Sequence, residues 1–170
     1  MASSLRLAEG LDPIVEATAS AASSVRVRIR IGSDADVDIA EEQGRRLASR
    51  LDFSPTDITV ISAAIRQVAR NVLTYGQGGD LMLHLIYKRG RLGLAIVARD
   101  KGPGIADVTQ ALRDGKGLGL ASARRLMDEF RVRSEPGHGT TVTMRKWTRC
   151  RQVQRAGARR QGHPGLRQQR

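Results

Sequence analysis

Residues 25–31 read VRVRIRI, a strict alternation of apolar and basic side chains. A two-residue period of this kind indicates a β-strand whose two faces meet different surroundings. The four apolar side chains face one way and the three arginines face the other, so only one side of the strand can be buried. The alternation therefore predicts an edge or open-faced strand, and it favours a sheet that is covered on a single face.

Two amphipathic helices are predicted after this strand. The apolar positions that follow are spaced by threes and fours, which indicates a first helix beginning at Ser33 or Asp34. Ser54 and Pro55 have the residue types of an N-cap and a first helical position, so a second helix is expected to run from there toward Tyr75. Its core-facing stripe is predicted to consist of Ile61, Ile65, Val68 and Val72.

The second half of the chain contains two hairpin patterns with a helical pattern between them. Residues 80–88 and 91–99 alternate like strands and are separated by a two-residue turn, which predicts a hairpin. A third helical stripe extends over 120–130, and 131–134 with 140–147 predict a closing hairpin. This order indicates an α+β fold, a two-layer sandwich with a mixed, mainly antiparallel sheet and helices on one face.

The charge of the chain is unevenly distributed. The formal net charge is +12, but residues 1–24 hold one arginine and three acids, whereas residues 148–170 hold seven arginines and no acid. Neither end has a persistent apolar period, so we predict a flexible arm over 1–24 and a basic disordered tail over 148–170. The tail is either a tether to an acidic partner or nucleic acid, or a dispensable extension. One folded domain, residues 25–147, remains.

Composition argues against two classes of function. The five aromatic residues are scattered, which disfavours a base-stacking platform and specific nucleic-acid recognition. No apolar run is long enough to cross a bilayer, and the N-terminus does not have the pattern of a secretory signal. A single cysteine, Cys150, fits a reducing compartment. We therefore expect a cytoplasmic protein without a membrane partner.

Three glycine pairs stand out from the rest of the chain: DKGPGI at 100–105, GKGLGL at 115–120 and GHGTT at 137–141. Each one alone is only a turn signal, because glycine adopts positive φ readily. Together they are a more specific signal than a turn, because one follows a strand, one precedes a helix and one enters a strand. Backbone N–H groups beside glycines and a helix N-terminus can cradle phosphate, and Lys116 can add a positive charge there.

With these motifs the chain resembles the ATPase superfamily of gyrase, heat-shock chaperone ATPases, histidine kinases and MutL. Within it, RLMDEF and GHGTTVTMRKW are most similar to the bacterial anti-sigma-factor serine/threonine kinases of the RsbT and RsbW type, especially the RsbT branch. The resemblance covers roughly residues 26–147. It implies a Bergerat-type ATP-binding fold and makes residues 25–147 an ATP-binding, kinase-like domain.

The resemblance implies roles for five residues around the adenine. Asp100 would accept a hydrogen bond from the adenine amino group, and Gly102 and Gly104 would shape the adenine pocket and the hinge of a lid. Gly139 and Thr140 would close the nucleotide site from below.

The remaining implied roles lie around the phosphates. Asn71 would hold the Mg²⁺ that bridges them. Lys116 would supply charge, and the residues that would wrap the phosphates are Gly117, Leu118, Gly119 and Leu120. ATP and Mg²⁺ are thus the expected ligands.

The sequence departs from the RsbT pattern at one position. The family normally has Glu-x-x-x-Asn on the magnesium-binding helix, whereas this chain has Gln67 and then Asn71. Residues four apart point to the same side of a helix, so the geometry is kept although the acid is lost. The family glutamate is assigned the role of general base, and an amide has no usable basicity near neutral pH. Both a slow kinase and a silent one are compatible with Gln67.

By resemblance, the chain is expected to be an ATP- and Mg²⁺-dependent serine/threonine kinase of a partner-switching module that phosphorylates a STAS-type antagonist protein. Family members also sequester a sigma factor or activate a phosphatase by docking. The alternative is a nucleotide-binding pseudokinase that acts by docking only. The three histidines are too widely separated to form a metal site.

Overall fold

The computed structural model describes residues 26–114 and 119–149. The predicted arm, the tail from residue 150 and the site residues Lys116, Gly117 and Leu118 lie outside these ranges. The elements in chain order are β1 (Arg26–Ile31), α1 (Asp34–Ser49), α2 (Pro55–Thr74), β2 (Gly79–Lys88), β3 (Arg91–Asp100), α3 (Val108–Asp114), α4 (Leu120–Leu126), β4 (Glu129–Glu135) and β5 (Gly139–Trp147).

The strands form one sheet in the order β1-β2-β3-β5-β4, and each of its four strand pairs is antiparallel. β1 is an edge strand, as its alternation predicts. Helix α2 lies against β1, β2 and β3 and also packs on α1, so the helices form a second layer. The predicted α+β sandwich is confirmed. None of the helices in the described ranges is long and apolar enough to span a membrane.

The predicted caps set the beginnings of the two long helices. The Ser33 hydroxyl accepts a hydrogen bond from the Asp36 N–H (3.3 Å), and the Ser54 hydroxyl accepts one from Asp57 N–H (3.1 Å). Both bonds satisfy N–H groups that have no partner within the helix. The side chains of the predicted α2 stripe are all buried in the core.

Helix α4, the third helix that the sequence predicts, is shorter than the apolar stripe over 120–130 indicates. It ends at Leu126, Met127 has an extended backbone, and Phe130 belongs to β4. Asp128 explains the early end, because its N–H donates to the Arg145 carbonyl (3.0 Å) and its carboxylate accepts from the Trp147 N–H (2.8 Å). These bonds to β5 start strand pairing where the stripe predicts another helical turn.

Two further differences concern the segment after β3 and the end of the domain. The predicted loop contains the short helix α3, which begins after Asp107, whose side chain accepts from the Gln110 N–H (2.8 Å). Thr148, the first residue assigned to the tail, is buried, and its N–H and hydroxyl both donate to the Leu92 carbonyl at 2.9 Å. Thr148 is thus hydrogen-bonded to the start of β3.

The contact between α1 and α2 predicts a large effect of substitution at Gly44. A Cβ atom at this buried position would overlap the Ile65 side chain. We expect Gly44→Val to lower the free energy of unfolding by about 1–3 kcal/mol through overpacking, as measured by urea denaturation. Ala63→Val places the same side chain on an exposed part of α2 and is the matched control. Equal destabilisation by the two variants would contradict this packing argument.

The side of the sheet away from the helices is here called the open face. It carries the side chains of alternate residues, namely Arg26, Arg28, Arg30, Asp80, Met82, His84, Ile86, Lys88, Arg91, Ala95, Val97, Arg99, Thr141, Thr143, Arg145, Trp147, Glu129, Arg131, Arg133 and Glu135. The opposite side carries the strand residues of the hydrophobic core.

His84 on the open face makes stability depend on pH. Burial, and to a smaller extent the charge of Arg26 on β1, lower its pKa below 6.5; on β3 it faces Ala95. Because the folded state favours the neutral ring, this contribution is complete above pH 6.5 and is lost as the pH falls toward the lower folded pKa. We expect His84→Gln to flatten the pH dependence of the free energy of unfolding below pH 6.5. The exposed control His138→Gln leaves the His84 ring in place and should retain that dependence.

Candidate nucleotide-binding site

The described parts of the three glycine motifs converge beside the C-terminal half of α2. The first and third motifs are joined directly, since the Gly137 N–H donates to the Pro103 carbonyl at 2.8 Å. Of the second motif, Gly119 and Leu120 are described. Gly119 lies against the Gln67 side chain, with φ of 57°, and Leu120 is buried next to Asn71. Segments far apart in sequence therefore border one cleft.

Asp100, at the end of β3, is the polar centre of this cleft. Its Oδ1 accepts hydrogen bonds from the Gly102 N–H (2.9 Å) and the Thr140 N–H (3.1 Å). Both bonds use the same oxygen, so Oδ2 remains available to a donor in the cleft. A fixed carboxylate oxygen of this kind matches an exocyclic amino group such as that of adenine.

Two glycines permit the backbone to close tightly around Asp100. Gly139 has φ of 86°, and a Cβ there would overlap the backbone of Asp100 and Lys101. Gly104 has φ of 75°, and a Cβ there would overlap the Glu135 carbonyl. Larger residues would push the neighbouring chain segments apart. A Cβ on the buried Gly102 would also overlap its neighbours, the Gly76 Cα and the Tyr75 carbonyl oxygen.

The walls of the cleft are mainly apolar. About 420 Å³ of open space, including solvent at the mouth, lies between them. The apolar lining residues are Val68, Val72, Ala98, Ile105, Leu120 and Val142, and the polar ones are Asn71, Tyr75, Asp100 and Thr140. Apolar walls with a few oriented polar groups are typical of small-molecule sites. The walls and the Asp100 oxygen together fit a planar heteroaromatic base.

Ser134 is a positioning residue that the sequence analysis missed. Its hydroxyl accepts from the Ile105 N–H (2.7 Å), donates to the Gly139 carbonyl (3.0 Å) and lies 2.9 Å from the Thr140 hydroxyl. It thereby ties the segment after β3 to both strands of the closing hairpin. The sequence contains a signal for the inward position of Ser134. The alternation in RVRS places Ser134 on the same face as Val132, which packs on the core.

Gln67 and Asn71 lie on one side of α2, and both side chains are half-buried. Gln67 Nε2 is 3.4 Å from Asn71 Oδ1, which is a long hydrogen bond. The neighbouring Arg70 is exposed and 3.8 Å from the Asp34 carboxylate, consistent with a surface ion pair. Gln67 is thus placed beside Asn71 and Gly119.

The donor set next to the cleft fits Mg²⁺ better than a transition metal. No cluster of three or more His, Cys, Asp or Glu side chains occurs within residues 26–114 and 119–149. Asn71 offers an amide oxygen, and Mg²⁺ is commonly held by one or two protein oxygens together with substrate phosphates and water. Asn71 is therefore able to serve as the protein ligand only if a phosphate ligand completes the shell.

Comparisons with known proteins agree with this geometry. The sequence profile of the family described as Histidine kinase-like ATPase domain matches residues 32–146. Serine/threonine-protein kinase RsbT of Bacillus subtilis (strain 168) is 39% identical over 116 residues, which cover 65% of this chain and 87% of that protein. Anti-sigma F factor of Halalkalibacterium halodurans is 30% identical over 111 residues, 58% of this chain and 75% of that protein. The chain belongs to the histidine kinase-like ATPase domain family, whose matched region contains the entire cleft around Asp100.

Proposed function

We propose that this protein is an ATP- and Mg²⁺-dependent serine/threonine kinase of a partner-switching module, and that its substrate is a STAS-domain antagonist protein. The observation that carries the nucleotide part is the Asp100 carboxylate, which two backbone N–H groups orient within an apolar cleft. Similarity to RsbT, which is named a serine/threonine-protein kinase, supports the choice of reaction. Family resemblance alone supports the STAS class of substrate.

The residues around the cleft have distinct roles in this proposal. Asp100 Oδ2 accepts from the adenine amino group, and Gly102 and Gly104 let the chain pass close to the base. Gly139 and Thr140 keep the closing hairpin against Asp100, since the Thr140 N–H holds the carboxylate. These residues bind and orient the nucleotide before transfer.

In this proposal the second glycine motif and α2 bind the phosphates. Backbone N–H groups of Gly117, Leu118, Gly119 and Leu120 would donate to phosphate oxygens, and Lys116 would add a positive charge. Asn71 Oδ1 would hold Mg²⁺, which would supply positive charge to offset the negative charge that develops during transfer.

Gln67 orients the attacking hydroxyl of the substrate protein by hydrogen bonding. The substrate oxygen bonds to the γ-phosphorus, ADP leaves, and the hydroxyl proton passes to solvent or to a phosphate oxygen because an amide does not accept it. Phosphoryl transfer depends mainly on positioning and electrostatics, so the lack of a base slows the reaction without abolishing it.

A second function is favoured by the same residue. The Gln67 amide is engaged with Asn71 and supplies no base, which suits a nucleotide-binding regulator that docks partners without phosphorylating them. In that case a sigma factor or a phosphatase is the partner, as in the docking activities of the resembled kinases. We place either activity in the cytoplasm.

Two measurements on the full chain separate these functions. Calorimetric titration with Mg-ATP is expected to give saturable binding, and incubation with labelled ATP, Mg²⁺ and STAS-domain proteins of the same organism is expected to label one of them on serine or threonine. Tight Mg-ATP binding without label transfer would establish the docking regulator. A folded protein that binds no adenine nucleotide would overturn both functions.

A further inference from the structure

Lys146 occupies a core-facing position near the end of β5. The residues two and four positions earlier on the same side of the strand, Met144 and Val142, are buried in the core, and Lys146 lies opposite the buried Leu94 on β3. The two-residue period of the strand would continue here with an apolar side chain. Only 16% of the Lys146 side chain is exposed, and lysine is seldom buried to this extent without a partner for its charge. The groups that pair this charge therefore indicate its role.

Three polar groups from different parts of the fold surround the Lys146 ammonium. Its Nζ donates to the Leu126 carbonyl (3.1 Å) and to Asp128 Oδ1 (3.0 Å). It also lies 3.9 Å from Oδ1 of Asp57, which belongs to the first turn of α2. Since Leu126 is the last residue of α4, one ammonium group joins the end of α4 and the start of α2 to strand β5.

The contact with Leu126 matches the electrostatics of a helix end. The last four carbonyl groups of a helix have no partner within it, and this end carries a partial negative charge. An ammonium group supplies both a donor and a positive charge, whereas an apolar side chain at this position would supply neither. Asp128 holds the ammonium in place, because its other carboxylate oxygen accepts from the Trp147 N–H at 2.8 Å.

Helix α4 depends on such an anchor because it is short. It has seven residues, whereas an isolated helix below about 12–15 residues is only marginally stable in water. Its N-cap is Gly119, which has no side chain to accept a bond from the first N–H groups. The position of α4 is therefore set by tertiary contacts, namely the buried side chains of Leu120 and Ala123 and the bond from Lys146 to its last residue.

The other end of α4 borders the candidate nucleotide site. Leu120 lines the cleft, and Gly119 lies against the Gln67 side chain. At a rise of 1.5 Å per residue, Leu120 and Leu126 are about 9 Å apart along the helix. A displacement of the last turn would therefore move the first turn as well. Lys146 is not part of the cleft lining, but it restrains the helix that forms one of the walls.

We propose that Lys146 is a positioning residue of the nucleotide site, which holds α4 against β5 and thereby keeps Gly119 and Leu120 at the edge of the cleft. This role rests on the proposed nucleotide binding, and Lys146 performs it through α4 without touching the nucleotide. Without the ammonium group, the last turn of α4 loses its bond to the sheet. The wall formed by Leu120 is then no longer held in one position, and the affinity for Mg-ATP falls.

Calorimetric titration of the full chain with Mg-ATP tests this role. We expect Lys146→Met to weaken binding by about tenfold, the effect typical of losing a hydrogen bond to a charged group. Lys146→Arg keeps a positively charged donor and should restore binding to within about threefold of the parent.

Arg145→Met is the matched control for a general loss of stability. The Arg145 side chain is about as buried as that of Lys146, with 12% exposed, and it pairs with Glu129 at 2.7 Å. It projects from the open face, however, on the side of the sheet away from α4. Removing it should therefore leave Mg-ATP affinity within about threefold of the parent.

Hydrogen exchange of the nucleotide-free chain provides a second readout, which does not depend on binding. We expect the amides of residues 120–126 to exchange about tenfold faster in Lys146→Met than in the parent, whereas those of β2 keep their parental rates. Arg145→Met should leave exchange in α4 unchanged. A faster rate confined to α4 would show that Lys146 acts on this helix and not on the domain as a whole.

Three results would overturn the proposed role of Lys146: an unchanged Mg-ATP affinity in Lys146→Met, an equal loss in Arg145→Met, or a loss without faster exchange in α4. If Lys146→Met is not folded by circular dichroism, Lys146→Gln, which is uncharged and one atom shorter, replaces it with the same expectations. A folded parent chain that binds no adenine nucleotide would instead overturn the proposed function, and this role with it.

Discussion

Asp100→Asn is expected to weaken ATP binding by about 100-fold. Hydrogen bonds to charged groups contribute about 1.5–3 kcal/mol, and about 1.4 kcal/mol corresponds to a factor of ten in affinity. Asparagine can still accept from Gly102 and Thr140 through its carbonyl oxygen. Its Nδ2, however, would stand where Asp100 Oδ2 faces the cleft, so a donor would meet the adenine amino group. Calorimetric titration with Mg-ATP measures the change.

GTP and a second aspartate provide the controls for this prediction. Guanine has an acceptor at the position of the adenine amino group, so the amide donor that Asp100→Asn introduces should leave GTP binding unchanged or improve it. Asp38→Asn removes an exposed carboxylate on α1 that pairs with Arg66 at 2.8 Å, and it should leave ATP binding unaltered. Equal losses for ATP and GTP would show that Asp100→Asn damages the fold and not adenine recognition.

Gln67→Glu is expected to accelerate phosphoryl transfer by roughly 10²- to 10⁴-fold, because it supplies the general base that the amide lacks. The two side chains have the same shape, and the carboxylate would occupy the space between Asn71 and Gly119 that Gln67 now fills. The measurement is single-turnover transfer from labelled ATP to the STAS-domain substrate at saturating Mg²⁺. If the logarithm of the transfer rate rises with pH at a slope near one in the acidic range, the carboxylate introduced by Gln67→Glu is identified as the base.

The control for this variant is Gln110→Glu, the same change at an exposed position on α3. It should leave the transfer rate within about twofold of the parent. A Gln67→Glu rate that is unchanged or lower would contradict the missing-base explanation and would favour the docking regulator. Normal Mg-ATP binding by that variant would show that its nucleotide-binding site is intact.

Much of the architecture is predictable because periodicity and capping are local. The VRVRIRI alternation determined an edge strand, and Ser33 and Ser54 determined where α1 and α2 begin. Prediction failed where a contact distant in sequence competed with a local pattern. The stripe over 120–130 favours a longer α4, but the bonds from Asp128 to β5 end it at Leu126.

The candidate site also has a part that the sequence predicts and a part that only the tertiary structure determines. Spacing in the sequence indicated the glycine pairs, and resemblance to the RsbT type indicated Asp100 and the Gln67–Asn71 pair. Only the tertiary structure decided that Thr140 donates to Asp100, forty positions earlier, because β5 pairs with β3 and not only with its chain neighbour β4. The same strand order brings Ser134 to the segment after β3. Strand order depends on how the whole core packs, and no local period encodes it.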